Sequence, residues 1–194
     1  MLQKVVCAVD GKPYQLKKKQ STKEYIAYAF QEKLKAEPFD TITVREIAEA
    51  CDISRTTFYR YFEDKYELLI WIYTQEIERI YAGDGDSRQK FIDIFHFMKD
   101  NRRYFTQALL SDRHNTLEDY IFKLSMESVT CFIAKRWQVE TVPEELIRSI
   151  EFGTAGSIYI WKKWLFSDSD ETPEHLADKI IADYPETVRN NFFV

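Results

Sequence analysis

The sequence predicts an all-α protein. Glycine and proline number only five each among 194 residues, so the chain has few obligatory break points. Large apolar side chains recur at i, i+3 and i+4, the spacing that gathers them on one helix face, and no stretch alternates with period two as a half-buried strand would. Several apolar runs are preceded by a capping residue with Glu three positions on: Ser21/Glu24, Thr43/Glu46, Asp64/Glu67 and Asn115/Glu118. In such a pair the short side chain accepts an orphan N–H of the first turn, and the carboxylate can reach back to the cap. We expect about nine helices: an N-terminal three-helix unit and a C-terminal helical bundle.

Taken in order, residues 1–19 read as a separate extension. Asp10-Gly11-Lys12-Pro13 is a turn signal, and Lys17-Lys18-Lys19 is a short basic run, either a solvated tail or an arm that touches phosphates. The first helix starts near Ser21, carries Ile26, Phe30 and Leu34, and stops before Pro38. The second starts at Thr43, with Val44, Ile47 and Ala48 on one face. Cys51-Asp52-Ile53 forms the break, and Ser54 caps a short helix from Arg55 to Tyr61. Asp64 opens a longer fourth helix with Leu68, Leu69, Ile72 and Ile77, halted by Gly83-Asp84-Gly85-Asp86.

Beyond residue 86 the pattern stays helical. Phe91, Ile94, Phe95 and Met98 form one stripe, and residues of about 102–110 form a short helix. Asn115 opens a long one bearing Tyr120, Ile121, Leu124, Val129, Phe132 and Ile133. Pro143 suits the first position of the next helix, which runs towards Trp164. Thr172-Pro173 begins the last, and Pro185 ends or kinks it. The domain division is therefore 1–19, 20–66 and 67–194.

Several function classes find no support. No run of 18 apolar residues is present, and the apolar part of the N-terminus is too short for a signal peptide, so a cytoplasmic protein without membrane contact is expected. Cys7, Cys51 and Cys131 are scattered, as are His96, His114 and His175, so no metal set arises and no cofactor is implied. The Gly83–Asp86 turn lacks calcium-loop spacing, and Gly83-x-Gly85 lacks the later Gly and Lys of a phosphate loop. With no nucleophile–base pair either, we expect no enzyme. Net charge is −5, but unevenly placed. Residues 1–62 hold 11 Lys+Arg against 8 Asp+Glu (+3), and residues 63–194 hold 16 against 24 (−8).

The informative segment is the pair of short helices around Asp52. The second offers small or polar donors at Ser54, Arg55, Thr56, Thr57, Tyr59 and Arg60, while Phe58 and Phe62, at i and i+4, would anchor it. Arg can bond guanine through two N–H groups, and Thr can offer a methyl or hydroxyl to a base edge. Lys65 is placed to meet a phosphate. From these residues alone, two amphipathic helices of an ordinary bundle are the better reading, since Phe58, Tyr59, Tyr61 and Phe62 could all be core.

The run Thr43-Val44-Arg45-Glu46-Ile47-Ala48-Glu49-Ala50-Cys51-Asp52-Ile53-Ser54-Arg55-Thr56-Thr57-Phe58-Tyr59-Arg60-Tyr61-Phe62, continued by Lys65 and Leu68-Leu69, resembles the DNA-binding signature of the TetR family. The resemblance covers residues of about 20–70. It implies a dimeric, ligand-responsive regulator, read here as a repressor, that binds a palindromic operator in double-stranded DNA. It also implies that Thr43 meets a phosphate, that Arg45 reaches a base, and that Arg55 and Thr56 face bases. Thr57 and Tyr59 then contact the DNA backbone, and Lys65 a phosphate. Asp52 departs from the family, where glycine is common; Asp tolerates a left-handed backbone better than most residues. The stretch from Phe91 through Asn101-Arg102-Arg103-Tyr104-Phe105 to Gly156–Trp164 is similar to a Gram-positive subgroup that includes DhaS-type regulators, some of which answer to a protein partner. The effector thus stays open between a small molecule and a protein. The resemblance further implies that helices of about 143–165 and 173–190 build the dimer interface. Ile150, Ala155, Ile158, Trp161 and Leu165 are candidates for that interface or for plain core, with Gly153-x-x-Gly156 allowing close approach. Phe95, Phe105, Tyr120, Phe122, Met126, Phe132, Trp137 and Tyr159 are candidates for an effector pocket or for plain core.

Overall fold

The computed structural model describes residues 21–110 and 117–193. The Lys17-Lys18-Lys19 run and the Asn115 cap lie outside these residues. Among the described residues there are ten α-helices, one 3₁₀ turn and no strand. They are α1 (Thr22–Ala36), the 3₁₀ turn (Phe39–Thr41), α2 (Val44–Ala50), α3 (Arg55–Tyr59), α4 (Lys65–Ala82), α5 (Ser87–Asp100), α6 (Arg102–Leu109), α7 (Leu117–Trp137), α8 (Glu144–Phe166), α9 (Pro173–Asp183) and α10 (Glu186–Phe192).

The caps read from the sequence form. Ser21 and Glu24 make a reciprocal capping box, and so do Thr43 and Glu46. Asp64 accepts from the N–H groups of Tyr66 and Glu67, but the Glu67 carboxylate takes the Glu63 N–H instead of closing a box. Pro143 stands one position earlier than expected, as the N-cap of α8. The helix expected over 173–190 is two helices. The backbone leaves helical geometry at Tyr184 (φ −62°, ψ 144°), as a residue before proline tends to, and Pro185 caps α10. That break, with the chain following on from α9, brings the total to ten.

α1 to α3 and the first half of α4 share one aromatic and aliphatic core. Ile26, Phe30, Phe39, Ile42, Ile47, Phe58, Phe62 and Leu68 are each at most 1 % exposed. In the body, α5 packs on α9 and α7 on α8. Arg88 joins Asp178 through two bonds of 2.8 and 2.9 Å, and His96 Nε2 lies 2.6 Å from Glu174, both across the α5–α9 seam. α6 links the two regions. The Tyr104 hydroxyl donates to the Leu69 carbonyl (2.6 Å), Arg103 donates to the Lys35 carbonyl at the end of α1, and Arg102 donates to Leu165 and Ser167 at the end of α8.

Gly153 is needed where α8 meets the α9–α10 corner. A Cβ there would sit 2.4 Å from the Tyr184 ring. Gly156, one turn later, has nothing within 4 Å of the same position and opens outward. The small-residue pair therefore serves one close approach inside the chain, not two. Gly153→Ala is expected to cost about 1–3 kcal/mol by overpacking, read as a lowered midpoint in denaturant. Gly153→Ala with Tyr184→Leu should recover part of the loss, and an unchanged single variant would show the corner to be loose.

Candidate nucleic-acid interface

α2 and α3 are each too short to persist alone, so their placement comes from packing and caps. α2 ends in a Schellman motif. Ile53 N–H bonds to Ala48 O (3.0 Å), and Asp52 N–H bonds to Glu49 O (3.1 Å). Asp52 occupies the left-handed position at φ 50°, where glycine is the usual residue. Ser54 then caps α3, accepting the Thr57 N–H at 3.1 Å, with its Oγ 3.0 Å from Thr57 Oγ1. α3 is two residues shorter than expected. The chain tightens after Tyr59, as Tyr61 N–H reaches back three residues to Phe58 O (2.9 Å).

Phe58 is fully buried, its ring 5.8 Å from Phe62, which lies 5.7 Å from Trp71 of α4. With that face committed, Arg55, Thr56, Tyr59 and Arg60 are exposed, joined by Ser54 and by Thr43 and Arg45 of α2; Thr57 is half-buried. Arg45 carries only a loose pairing to Glu49 (3.6 Å). The Thr43 hydroxyl is engaged with Glu46, and the Thr43 hydroxyl and N–H together hold that carboxyl below its ordinary value. The cap is thus charge-assisted above the usual carboxylate range and weakens as pH falls through the lowered value.

Lys65 is engaged within the chain. Its Nζ donates to Phe39 O (2.8 Å), Asp40 O (3.2 Å) and Ile42 O (2.8 Å), and it lies 4.5 Å from the Phe39 ring centre. These three carbonyls draw the ammonium towards the segment that leads to α2. The sequence places Lys65 at a helix start, but its partners lie 23–26 positions earlier and leave no local signal. Sequence reasoning also passed over Tyr25 and Tyr28 of α1, which are 45 % and 55 % exposed beside Ala50 of α2. Their spacing, on the stripe opposite Ile26, Ala29 and Phe30, was the available cue.

The pocket candidates mostly disperse. A small cavity of about 50 Å³, measured for the centre of a water-sized sphere, lies among α4, α5, α7, α8 and the α9–α10 corner. Of the eight aromatic and Met candidates only Phe95 lines it. Phe105 is fully buried in the core, Tyr120 bonds Thr74 (2.7 Å), and Phe132, Trp137 and Tyr159 are exposed. Helical spacing identified aromatic stripes but not which stripe faces the cavity. The candidates for interface or core divide. Ile150, Ile158, Trp161 and Leu165 are buried within the chain, and only Ala155 is exposed. The outward apolar residues of α8 are instead Phe152 (76 % exposed), Tyr159 (72 %) and Phe166 (42 %), alongside Ala155 and Gly156.

Two short helices with an anchored apolar face and a free basic and hydroxyl face, carried on a helical body, define a helix-turn-helix regulator. The chain belongs to the tetR family of bacterial regulatory proteins: that family's profile matches residues 32–71, and the profile for a transcriptional regulator C-terminal region matches residues 85–182. It is similar to the HTH-type dhaKLM operon transcriptional activator DhaS of Lactococcus lactis subsp. lactis (strain IL1403), 24% identical over 102 residues. The aligned region spans 51% of this chain and 54% of that protein, about half the length of the relative. In structure it resembles the dihydroxyacetone kinase operon activator DhaS, with a TM-score of 0.65 at 16% identity over 88% of this chain and 97% of the other. A TetR transcriptional regulator from Streptococcus agalactiae 2603V has a TM-score of 0.60 at 22% identity, covering 81% and 90%. The fatty acid degradation regulator FadR from Bacillus halodurans has 0.52 at 17%, covering 84% and 94%. These likenesses establish the fold. Among the described residues no helix is long and apolar enough to cross a membrane.

Asp52→Gly is expected to stabilise the chain by up to about 1 kcal/mol, because the left-handed position then carries no Cβ. Chemical denaturation reads the gain, and a loss of stability would show that the Asp side chain contributes more than its backbone costs.

Proposed function

We propose that the chain acts as a homodimer on a palindromic operator in double-stranded DNA, with α3 in the major groove. Residues 20–66 form the DNA-binding unit, residues 67–194 form the body, and residues 1–19 are an extension. Arg45, Ser54, Arg55, Thr56, Thr57, Tyr59 and Arg60 meet the DNA, and Thr43 lies at the edge of that surface. The observation that carries the reading is the exposure of Arg45, Arg55, Thr56, Tyr59 and Arg60 on two helices whose remaining face is fixed by Phe58 and Phe62. Lys65 acts as a positioning residue that holds the turn before α2, rather than as a free phosphate ligand. The reading assigns the chain no catalysis and no cofactor.

With a surplus of only three positive charges on residues 1–62, one subunit offers a weak phosphate footprint. A dimer doubles it and places two α3 helices about one DNA turn, ~34 Å, apart. The Phe152–Gly156–Tyr159 stripe supports a face for that dimer, since Gly156 leaves room for a second helix to approach. An effector bound in the body then sets operator affinity, provided it favours one arrangement of the two subunits over the other.

We read the outcome as repression. A second reading, activation under control of a protein partner, is supported by the DhaS relative, which is by name an activator. A promoter–reporter strain separates them: deletion of the gene raises reporter output for a repressor and lowers it for an activator.

Arg45→Ala with Tyr59→Ala should weaken binding to DNA from upstream of its own gene by about 10–100-fold, read by fluorescence polarisation at fixed salt. Wild-type affinity in that double variant would remove the assigned surface. Phe152→Glu with Tyr159→Glu should convert the dimer to a folded monomer in sedimentation, since two like charges would be desolvated at a self-complementary contact. A dimer that survives both changes lies on another face.

A further inference from the structure

The cavity in the body has an unusual lining. Six of the side chains around it carry hydroxyls: Tyr73, Tyr81, Ser125, Thr154, Ser157 and Tyr184. The rest are aliphatic, aromatic or methionine, and no charged side chain lines it among the described residues. Thr154 Oγ1 is buried and makes no hydrogen bond of ordinary length, although the Tyr184 hydroxyl lies near enough to be influenced by it. A threonine inside a helix ordinarily satisfies its hydroxyl on the carbonyl three or four residues back. Thr154 makes no such bond, although it is 1 % exposed and sits in the middle of α8. A buried hydroxyl without a partner costs free energy, and a guest that bonds it recovers that cost.

Three constraints then narrow the guest. The first is size: about 50 Å³ of space for sphere centres accommodates about three to five water positions, hence a molecule of about three to six heavy atoms. The second is charge. With no counter-ion in the lining, a carboxylate, phosphate or ammonium would be buried unpaired. The third is hydrogen bonding. Burial pushes Tyr81 up to about 12 and raises Tyr73 and Tyr184, against the opposing effect of the Thr154 and Ser157 hydroxyls on Tyr184. The phenols therefore stay protonated at physiological pH and can donate as well as accept.

We propose that this cavity is a binding site for a small, uncharged, hydroxyl- or carbonyl-bearing molecule of about three to six heavy atoms, which gives Thr154 its missing hydrogen bond. The site excludes long acyl chains by volume and anions of equal size by charge. Its consequence for DNA rests on the regulator reading above, whereas its occupancy does not.

The test uses the full-length chain and defined probes. Saturation-transfer NMR and isothermal titration are run with 1,2-propanediol and hydroxyacetone, against lactate and propionate as anions of similar size. The uncharged probes are expected to bind saturably and the anions not. Thr154→Val keeps the shape and removes the hydroxyl. It should lower affinity for the bound probe about tenfold, while its melting temperature stays level or rises because an unsatisfied group has gone. A bulk-solvent effect of the diols would act equally on both proteins. The proposal is overturned if neither uncharged probe binds at tens of millimolar, if the anions bind as well, or if Thr154→Val binds as the parent does. Thr154→Ala serves as a second variant should Thr154→Val fold poorly, with the same reduction expected and no reduction counting against the proposal. Polarisation on upstream DNA is measured in parallel. Probe binding without DNA binding overturns the regulator reading and leaves the cavity standing. DNA binding without probe binding does the reverse.

Discussion

The seating of Phe58 is the contact on which the proposed DNA-binding surface depends. α3 has five residues, far below the length at which a helix holds itself together in water. Its axis is defined by one ring buried among Phe62, Tyr59 and the α1–α2 core, by the Ser54 cap, and by the Schellman closure behind Asp52. Truncating a ring buried this fully typically costs about 3–5 kcal/mol, a large share of the stability of a domain this size. The exposed arginines and hydroxyls have defined positions only because the opposite side of a very short helix has none to spare.

α4 carries that constraint into the body. Its first residue, Lys65, clasps the turn before α2, and Trp71 stacks edge-on against Phe62. Two residues after Trp71, Tyr73 lines the cavity, and Tyr81 lines it again near the far end of the helix. α6 makes a second connection, with Arg103 on the end of α1 and Tyr104 on the backbone of α4. α2 and α3 are therefore tied to the cavity wall through one continuous helix and one short strut.

What was legible in the sequence was what local chemistry decides. Ser21, Thr43, Ser54 and Asp64 each mark a helix start because a cap acts within three residues of itself. The Asp52 turn was legible for the same reason. Legibility failed where the deciding partner is distant. Nothing near Lys65 announces three carbonyls some 25 positions earlier. α8 defeated the periodicity argument in another way. It is apolar on two faces, so spacing alone did not separate Ile150, Ile158 and Trp161, which the chain buries itself, from Phe152 and Tyr159, which it leaves outside. The cavity lining converges from four helices and a corner, and six of its members are hydroxyl residues that a search for aromatic stripes passes over.

The double apolar character of α8 also connects the two proposals made for the body. Thr154, Ser157, Ile158 and Trp161 look inward on the cavity, while Phe152, Gly156 and Tyr159 look outward from the same three turns. A helix this regular does not reshape one face independently of the other. Under the cavity proposal, a guest that draws Thr154 towards itself would tend to move the outward stripe with it, because the close approach of Gly153 to the Tyr184 ring leaves little slack on the inward face. In a self-complementary contact any such shift is applied twice, once by each copy, and appears as a change in the distance between the two α3 helices. If the chain pairs and binds DNA as proposed, DNA fixes that distance at about one helical turn, and occupancy at Thr154 would then have a mechanical route to operator affinity without a separate switch region.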